Sequence, residues 1–189
     1  APQRAYINTI AHIDTEVGRL LKTIDDLKLT DNTYVIYTTD NGPWLPFLHH
    51  GGSAGPLRDG KGTTFEGGQR VPCVMRGPGI PAGTVCDELT GTIDLLPTIA
   101  AITGKPLPKG KKIDGLNVSG LWKGTEKNSP RTEFLHYTSR GDLEGIRSEK
   151  WKLLIKKPRR NPNNKPPEVF LFDLSKDCLL YTSDAADED

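Results

Sequence analysis

The feature that most constrains this chain is the glycine-rich segment at residues 40–68, which contains eight glycines together with three prolines. No helical or strand periodicity survives at such a density of residues that interrupt both kinds of structure. A long irregular segment inside a compact domain is in general either functional or disordered. The chemistry of this chain is therefore expected in this segment and in the elements that flank it.

A helix and a strand are predicted directly before the glycine-rich segment. Between residues 7 and 27 the apolar positions recur every three or four residues, which predicts one long amphipathic helix. Residues 33–39 are β-branched or aromatic throughout, without the polar alternation of a half-exposed strand. They predict a strand buried on both faces inside a parallel sheet. A helix that leads into such a strand indicates an α/β layer fold.

The remainder of the chain predicts a helix followed by a small sheet. Asp94 is predicted to be the N-cap of a helix that begins at Leu95 and that Gly104 ends. Tight polar connections then separate four short alternating segments, at residues 133–138, 143–148, 151–155 and 169–174. This spacing favours an antiparallel sheet, because hairpins need only short loops.

The charge balance and the hydropathy argue against two classes of partner. The 25 lysines and arginines nearly equal the 24 acidic residues, for a net charge of +1, whereas a dedicated nucleic-acid binder usually carries a clear basic excess. The sequence contains no run of about 18 apolar residues, the length that a membrane-spanning helix needs. We therefore expect neither a nucleic-acid partner nor a membrane span.

Asp40 and Asn41 stand where the predicted buried strand ends, and Gly42 follows them. Ligands of open α/β sheets gather at the carboxyl ends of the strands. Carboxylate and amide oxygens are hard ligands that suit Ca²⁺ or Mg²⁺. The alternative is an ordinary turn, because Asp-Asn-Gly is also common turn chemistry.

Lys61 lies between Gly60 and Gly62, where its ammonium and the bare backbone N–H groups can approach an oxyanion. The surrounding sequence imitates a nucleotide-binding P-loop, but Gly62 replaces the required hydroxyl, and the neighbouring glycines and prolines exclude the flanking strand and helix. The alternative is a lysine on a flexible surface loop. Further along, Glu66 and Arg70 are predicted to form an ion pair that fixes the loop.

Several segments, taken together and in this order, resemble the type I sulfatase family, in its arylsulfatase A-like group. They are the helix at residues 12–27, then DNTYVIYTTDNGP (31–43), GGSAGPLRDGKGTTFEGGQRVP (51–72), IDLLPT (93–98) and LFDLSKD (171–177). The resemblance implies a partial alkaline-phosphatase-like α/β fold, with a mixed or parallel sheet, helices and a small C-terminal antiparallel sheet. It assigns residues 1–125 to the C-terminal part of the catalytic core, 126–177 to a small antiparallel subdomain and 178–189 to a non-native or disordered tail.

The same resemblance implies hydrolysis of sulfate esters carried by small molecules or glycans, in an enzyme that is secreted, periplasmic or lysosomal. It makes Asp40 and Asn41 ligands of a divalent cation, usually Ca²⁺, and Lys61 a catalytic residue that binds a sulfate oxygen. Sulfatases use a formylglycine nucleophile made within a Cys/Ser-x-Pro-x-Arg motif, which this sequence lacks. The chain is therefore expected to carry part of an active site and to be inactive by itself.

Two other functions stay open at this stage. A phosphatase or phosphodiesterase of the same superfamily would also place a metal ion at Asp40. A non-catalytic module for anions or glycans would instead use the basic segment at residues 156–165, which contains five lysines and arginines and no acidic residue.

Overall fold

The computed structural model describes residues 2–158 and 165–177, apart from the side chain of His49. The chain divides into two compact units, and the first joins the residues up to Pro78 with those from Leu135 onward. The second unit is Gly79–Phe134. The predicted tail at residues 178–189 lies outside the described residues.

The first unit begins with the long helix α1, Pro2–Asp26, as the apolar periodicity predicts. No residue of α1 is buried, and apolar residues of its stripe such as Ile7 and Leu20 are exposed. Near its C-terminal end, Asp25 accepts a hydrogen bond and forms an ion pair with Arg76. Within the described residues, no helix combines the length and the apolar character that crossing a membrane requires.

Two strands flank the glycine-rich segment: β1, Val35–Thr38, and β2, Cys73–Arg76. They pair antiparallel, with Val35 opposite Arg76, and Tyr37 is exposed. The prediction of a doubly buried strand in a parallel sheet is therefore wrong for β1. The reason is topological: the glycine-rich segment brings the chain back to the end of β1, whereas a parallel neighbour would need a crossover to its start.

The glycine-rich segment itself contains two short helical elements. Residues Leu45–His50 form a 3₁₀ segment, and Glu66–Gln69 form a single α-helical turn, α2. Another 3₁₀ turn, Thr30–Asn32, precedes β1. Between its two elements the segment is irregular, as its glycine and proline content predicts.

A four-stranded sheet completes the first unit, as the alternating segments predict. Its strands follow one another in space as in sequence: β3 (Glu133–Tyr137), β4 (Leu143–Ser148), β5 (Trp151–Lys156) and β6 (Glu168–Asp173). Strand β5 pairs antiparallel with both β4 and β6. The boundary between the two units falls within β3.

The core of the first unit lies where the glycine-rich segment meets this sheet. Phe65 comes from the segment and packs with Leu154 of β5 and Phe172 of β6, and all three side chains are buried. Two cations lie over the same ring, since Arg58 Cζ is 4.1 Å and Lys156 Nζ is 4.4 Å from the Phe65 centroid. One buried aromatic side chain thus holds the irregular segment against the sheet.

The second unit contains a 3₁₀ turn, Thr92–Asp94, and the helices α3, Leu95–Thr103, and α4, Ser119–Trp122. Gly104 ends α3 in the left-handed conformation with a φ of +64°, as predicted. Glycine meets the requirement of this position because it has no Cβ to clash there.

Asp94 is the N-cap residue of α3, as predicted, but its side chain makes no capping hydrogen bond to this helix. The 3₁₀ turn already engages the Leu95 N–H through Thr92 O. The buried Asp94 carboxylate instead accepts hydrogen bonds from both Nε and Nη2 of Arg131. This paired contact joins the start of α3 to the end of the same unit.

Candidate functional site

Asp40 and Asn41 lie in the turn that follows β1, where the sequence places them. The Asp40 side chain is exposed, and Asn41 is half-buried. Asn41 Nδ2 donates a hydrogen bond to Asp40 Oδ1 at 2.5 Å. The amide nitrogen, and not the amide oxygen, therefore faces the carboxylate. A cation bound by both residues would require the Asn41 amide to turn over.

This turn rests directly on α2. The Gly42 N–H donates to Gly68 O at 3.1 Å, and a Cβ atom at Gly42 would lie 1.7 Å from Gly67 O. No side chain larger than that of glycine fits such a close approach between two backbones. The Asp-Asn-Gly sequence thus forms a turn whose glycine packs against the backbone of α2.

Lys61 lies on the adjacent loop. Its N–H donates to Pro43 O at 2.8 Å, and a Cβ atom at Gly60 would lie 2.3 Å from the same oxygen. The Lys61 side chain is exposed, and its Nζ atom lies 5.8 Å from the centroid of the Trp44 ring. In the part of the chain that the structure describes, this ammonium pairs with no acidic side chain.

The structure therefore brings the backbones of Asp40–Gly42 and Lys61 together through Pro43, and it turns the Lys61 ammonium towards Trp44. The donors at Asp40 and Asn41 suit Ca²⁺ in kind, but Ca²⁺ takes about six to eight oxygen ligands. Among the described residues, no group of three or more histidine, cysteine or acidic side chains converges to hold a metal ion. The described residues thus offer the right kind of ligand for Ca²⁺ but too few ligands to hold it.

A buried charge network lies beneath the glycine-rich segment. Glu66 Oε1 accepts from Lys152 Nζ at 2.6 Å, and Glu66 Oε2 lies 3.4 Å from Arg147 Nη1. Glu66 is 3% exposed and Lys152 is 0% exposed. The predicted ion pair with Arg70 is therefore wrong: Arg70 is exposed, and only its backbone N–H contacts Glu66, through the carbonyl oxygen.

Burial disfavours the charged forms of both members of the buried Glu66–Lys152 pair. At Glu66, burial is opposed by the Lys152 ammonium and by Arg147, and together these cations hold the carboxyl pKa below its usual range. At Lys152, burial prevails over the attraction of Glu66, so the ammonium pKa lies below its usual value. The carboxylate therefore stays ionised in the fold because its partners surround it.

His136 of β3 adds a third kind of titratable group to this network. The side chain is buried, and burial together with the nearby Lys152 ammonium lowers its pKa to about 4, although the Glu66 carboxylate opposes the shift. The imidazole is therefore neutral at neutral pH. A neutral ring is the form that a buried site beside two cations accepts.

Sequence reasoning missed Lys152, Arg147 and His136 as members of this network. In β5 the apolar residues Trp151, Leu153 and Ile155 alternate with Lys152, which predicts the lysine on the solvent face. The structure instead buries Lys152 together with Leu154. The sequence feature that could have indicated the network is Glu66 in the Glu-Gly-Gly turn. If that carboxylate is buried, it needs a cation from another element.

The basic segment at residues 156–165 is only partly described. Lys156 closes β5 and is not in a solvated loop: its Nζ atom lies 3.3 Å from Glu144 Oε2 and over the Phe65 ring. Glu144 Oε2 also accepts a hydrogen bond from Thr64 Oγ1. Arg159 and Arg160 lie outside the described residues.

Comparison with known protein families and with individual proteins gives the same result. Residues 2–105 match the family model described as Sulfatase. The chain is 43% identical to arylsulfatase A of Homo sapiens over 149 residues, which cover 77% of this chain and 29% of that protein. The chain thus spans less than a third of the length of this curated relative.

Solved structures that are similar to this chain include the following two. One is Ps i-CgsB in complex with k-i-k-neocarrahexaose, with 28% identity, a TM-score of 0.79, and coverage of 98% of this chain and 39% of that one. The other is the phosphonate monoester hydrolase of Agrobacterium radiobacter, with 27% identity, a TM-score of 0.64, and coverage of 95% and 36%.

Proposed function

This chain belongs to the sulfatase family, and on that premise we propose that it forms part of a sulfuric ester hydrolase. In this proposal Lys61 binds a sulfate oxygen, and Asp40 and Asn41 supply two ligands of a divalent cation. The observation that carries the proposal is the position of Lys61. Its exposed ammonium meets no acidic partner in the described residues, and its backbone N–H is bonded to Pro43, the residue that follows the Asp40–Gly42 turn.

Lys61 would act by charge stabilisation. When the ester bond breaks, negative charge develops on the sulfate oxygens, and a preorganised ammonium lowers the energy of that state more than water does. The loop is suited to preorganisation, because the Lys61 N–H, the Gly42 N–H and the Phe65 ring all tie it to its surroundings. A Ca²⁺ ion, when bound, would supply further positive charge to the same oxygens.

We further propose that this chain alone does not hydrolyse sulfate esters. The sequence contains no Cys/Ser-x-Pro-x-Arg motif, and the remaining groups lower the barrier only for an attack that a nucleophile performs. The assay is hydrolysis of 4-nitrophenyl sulfate by the purified chain, with and without Ca²⁺. Turnover that requires Ca²⁺ and is lost in Asp40→Ala would contradict this proposal.

Binding of the anion can be tested without turnover. We expect inorganic sulfate to shift the backbone amide resonances of residues 60–63 in a saturable way, and the Lys61→Met variant to lose this response. Lys127→Met is the matched control, since Lys127 is an exposed lysine of the second unit. Saturation that is unchanged in Lys61→Met would remove Lys61 from the proposed site.

A phosphatase or phosphodiesterase of the same superfamily is the second candidate, and the similarity to a phosphonate monoester hydrolase favours keeping it. The same titration with inorganic phosphate separates the two functions. Tighter binding of sulfate supports the sulfatase proposal, and tighter binding of phosphate supports the alternative. The third candidate, an anion- or glycan-binding module, loses support because Lys156 is engaged by Glu144 and Phe65.

A further inference from the structure

We propose that Trp44 and Phe47 form an aromatic platform that binds the ring on which the sulfate ester is carried. This inference rests on the proposed role of Lys61 as the sulfate-binding cation. It extends that role by naming the shape of the group attached to the sulfate: a six-membered ring with one flat face.

The platform is formed by two rings that remain open to solvent. The Trp44 and Phe47 centroids lie 4.5 Å apart with the ring planes at 88°, in an edge-to-face pair. Trp44 is 47% exposed and Phe47 is 45% exposed. Exposed large apolar patches with polar groups beside them commonly mark binding sites, because burying such rings would otherwise stabilise the fold.

The backbone holds these rings firmly in their exposed positions. The Trp44 N–H donates to Gly51 O at 3.0 Å, and the Phe47 N–H donates to Trp44 O at 3.0 Å. A Cβ atom at Gly51 would lie 2.2 Å from Trp44 O, so the loop closes tightly on itself. Leu48 has a φ of 50° and a ψ of −127°, a strained conformation that persists only where the surroundings impose it.

Lys61 connects the platform to the sulfate. Its Nζ atom lies 5.8 Å from the Trp44 centroid, within the range of a cation–π contact. A sulfate held by this ammonium on the side of Trp44 has its ester oxygen close to the indole ring, and this is the orientation that the inference assigns. The carbon group attached to that oxygen then lies against Trp44 and Phe47, rather than in open water.

The chemistry of the platform selects a flat, rigid partner. The face of an indole ring is electron-rich, so it attracts C–H bonds and the edges of other rings. Both an aryl ring and one face of a sugar ring offer this geometry, whereas a flexible alkyl chain must be ordered before it can cover the same area. The platform therefore favours sulfates on rings over sulfates on open chains.

The chain contains a natural control for this arrangement. Trp151 is 40% exposed, and the Lys150 Nζ atom lies 5.0 Å from its ring. Lys150, however, is also paired with Asp173, 3.3 Å away. A tryptophan and a lysine thus occur together twice, and only at Trp44 is the lysine without an acidic partner among the described residues.

The test uses the full chain and four probes: phenyl sulfate, glucose 6-sulfate, hexyl sulfate and inorganic sulfate. Binding is followed in every variant by the backbone amide resonances of residues 60–63, and additionally by the indole N–H resonances of whichever of Trp44 and Trp151 the variant retains. We expect both ring sulfates to shift the Trp44 signal, and Trp44→Leu to weaken their binding about threefold to tenfold, the scale of one lost aromatic contact. Phe47→Leu should act in the same direction, and Trp151→Leu should have no effect.

The outcomes separate this inference from the proposed function. Inorganic sulfate should bind equally well to the wild type and to Trp44→Leu, because it carries no ring. A loss of its binding in Lys61→Met supports the proposed role of Lys61 and does not test the platform. If the ring sulfates bind no more tightly than hexyl sulfate, or bind Trp44→Leu as well as wild type, the platform is refuted. Ring binding that is unchanged in Lys61→Met also refutes it. A stronger effect of phenyl sulfate than of glucose 6-sulfate would identify the ring as aryl, and the reverse would identify it as a sugar.

Discussion

Replacing Lys152 by Met removes the ammonium from the buried Glu66–Lys152 pair and keeps a side chain of similar length. Glu66 would then hold a carboxylate that is 3% exposed, with Arg147 as the remaining cation at 3.4 Å. Removing one partner of a buried ion pair lowers the free energy of unfolding by about 3–5 kcal/mol, because the other charge stays desolvated. Since whole domains are stable by about 5–15 kcal/mol, this is a large part of the total.

Urea unfolding of the wild type, Lys152→Met, Glu66→Gln and the double variant completes a double-mutant cycle. We expect the double variant to be more stable than the sum of the two single losses implies, because both charges leave the interior together. Lys22→Met is the matched control: Lys22 pairs with Asp26, but both side chains are largely exposed, so its loss should stay well below that of Lys152→Met. Equal losses in the two lysine variants, or a strictly additive cycle, would refute the reasoning.

Three further predictions concern stability. The folded pKa of His136 is about 4, below its value near 6.5 in the unfolded chain. This group therefore leaves the free energy of unfolding unchanged above pH 6.5 and should lower it by about 3 kcal/mol as the pH drops to 4. Urea unfolding of His136→Leu should lack this contribution. Gly42→Ala should lower the free energy of unfolding by about 1–3 kcal/mol, because its Cβ overlaps a carbonyl oxygen. Gly18→Ala, with open space around it, should instead raise the free energy of unfolding by about 0.5–1 kcal/mol. A lower urea midpoint for Gly18→Ala would contradict this. Arg131→Met should lower the free energy of unfolding by about 3 kcal/mol, because it leaves the buried Asp94 carboxylate unpaired; an unchanged melting temperature would show that the pair contributes nothing.

The elements with a strong local period were predictable from the sequence. The three- and four-residue spacing gave helix α1, and the alternation of short segments gave the C-terminal antiparallel sheet. The position of Asp40 after β1 also followed from the sequence. These features depend on neighbours along the chain, and a single sequence contains that information.

The contacts that depend on distant residues were not predictable. Lys152 lies 86 residues after Glu66, and nothing near either residue indicates the other, so the nearby Arg70 was chosen instead. The error at β1 has a related cause. Apolar composition indicates that a strand suits a buried place, but only the neighbouring strands decide whether it is covered and in which direction it pairs.

The Glu66–Lys152 contact has a consequence for synthesis on the ribosome. The first unit is interrupted by Gly79–Phe134, so Arg147 and Lys152, the cations that neutralise Glu66, are made only after the whole second unit has been synthesised. Until then the glycine-rich segment lacks both its charge partner and the sheet residues that cover Phe65. Contacts of such long range form late and leave an intermediate exposed to aggregation. A nascent chain that stops before Lys152 is therefore expected to need a chaperone more than one that extends past β6, which has both the charge partner of Glu66 and the strands that cover Phe65.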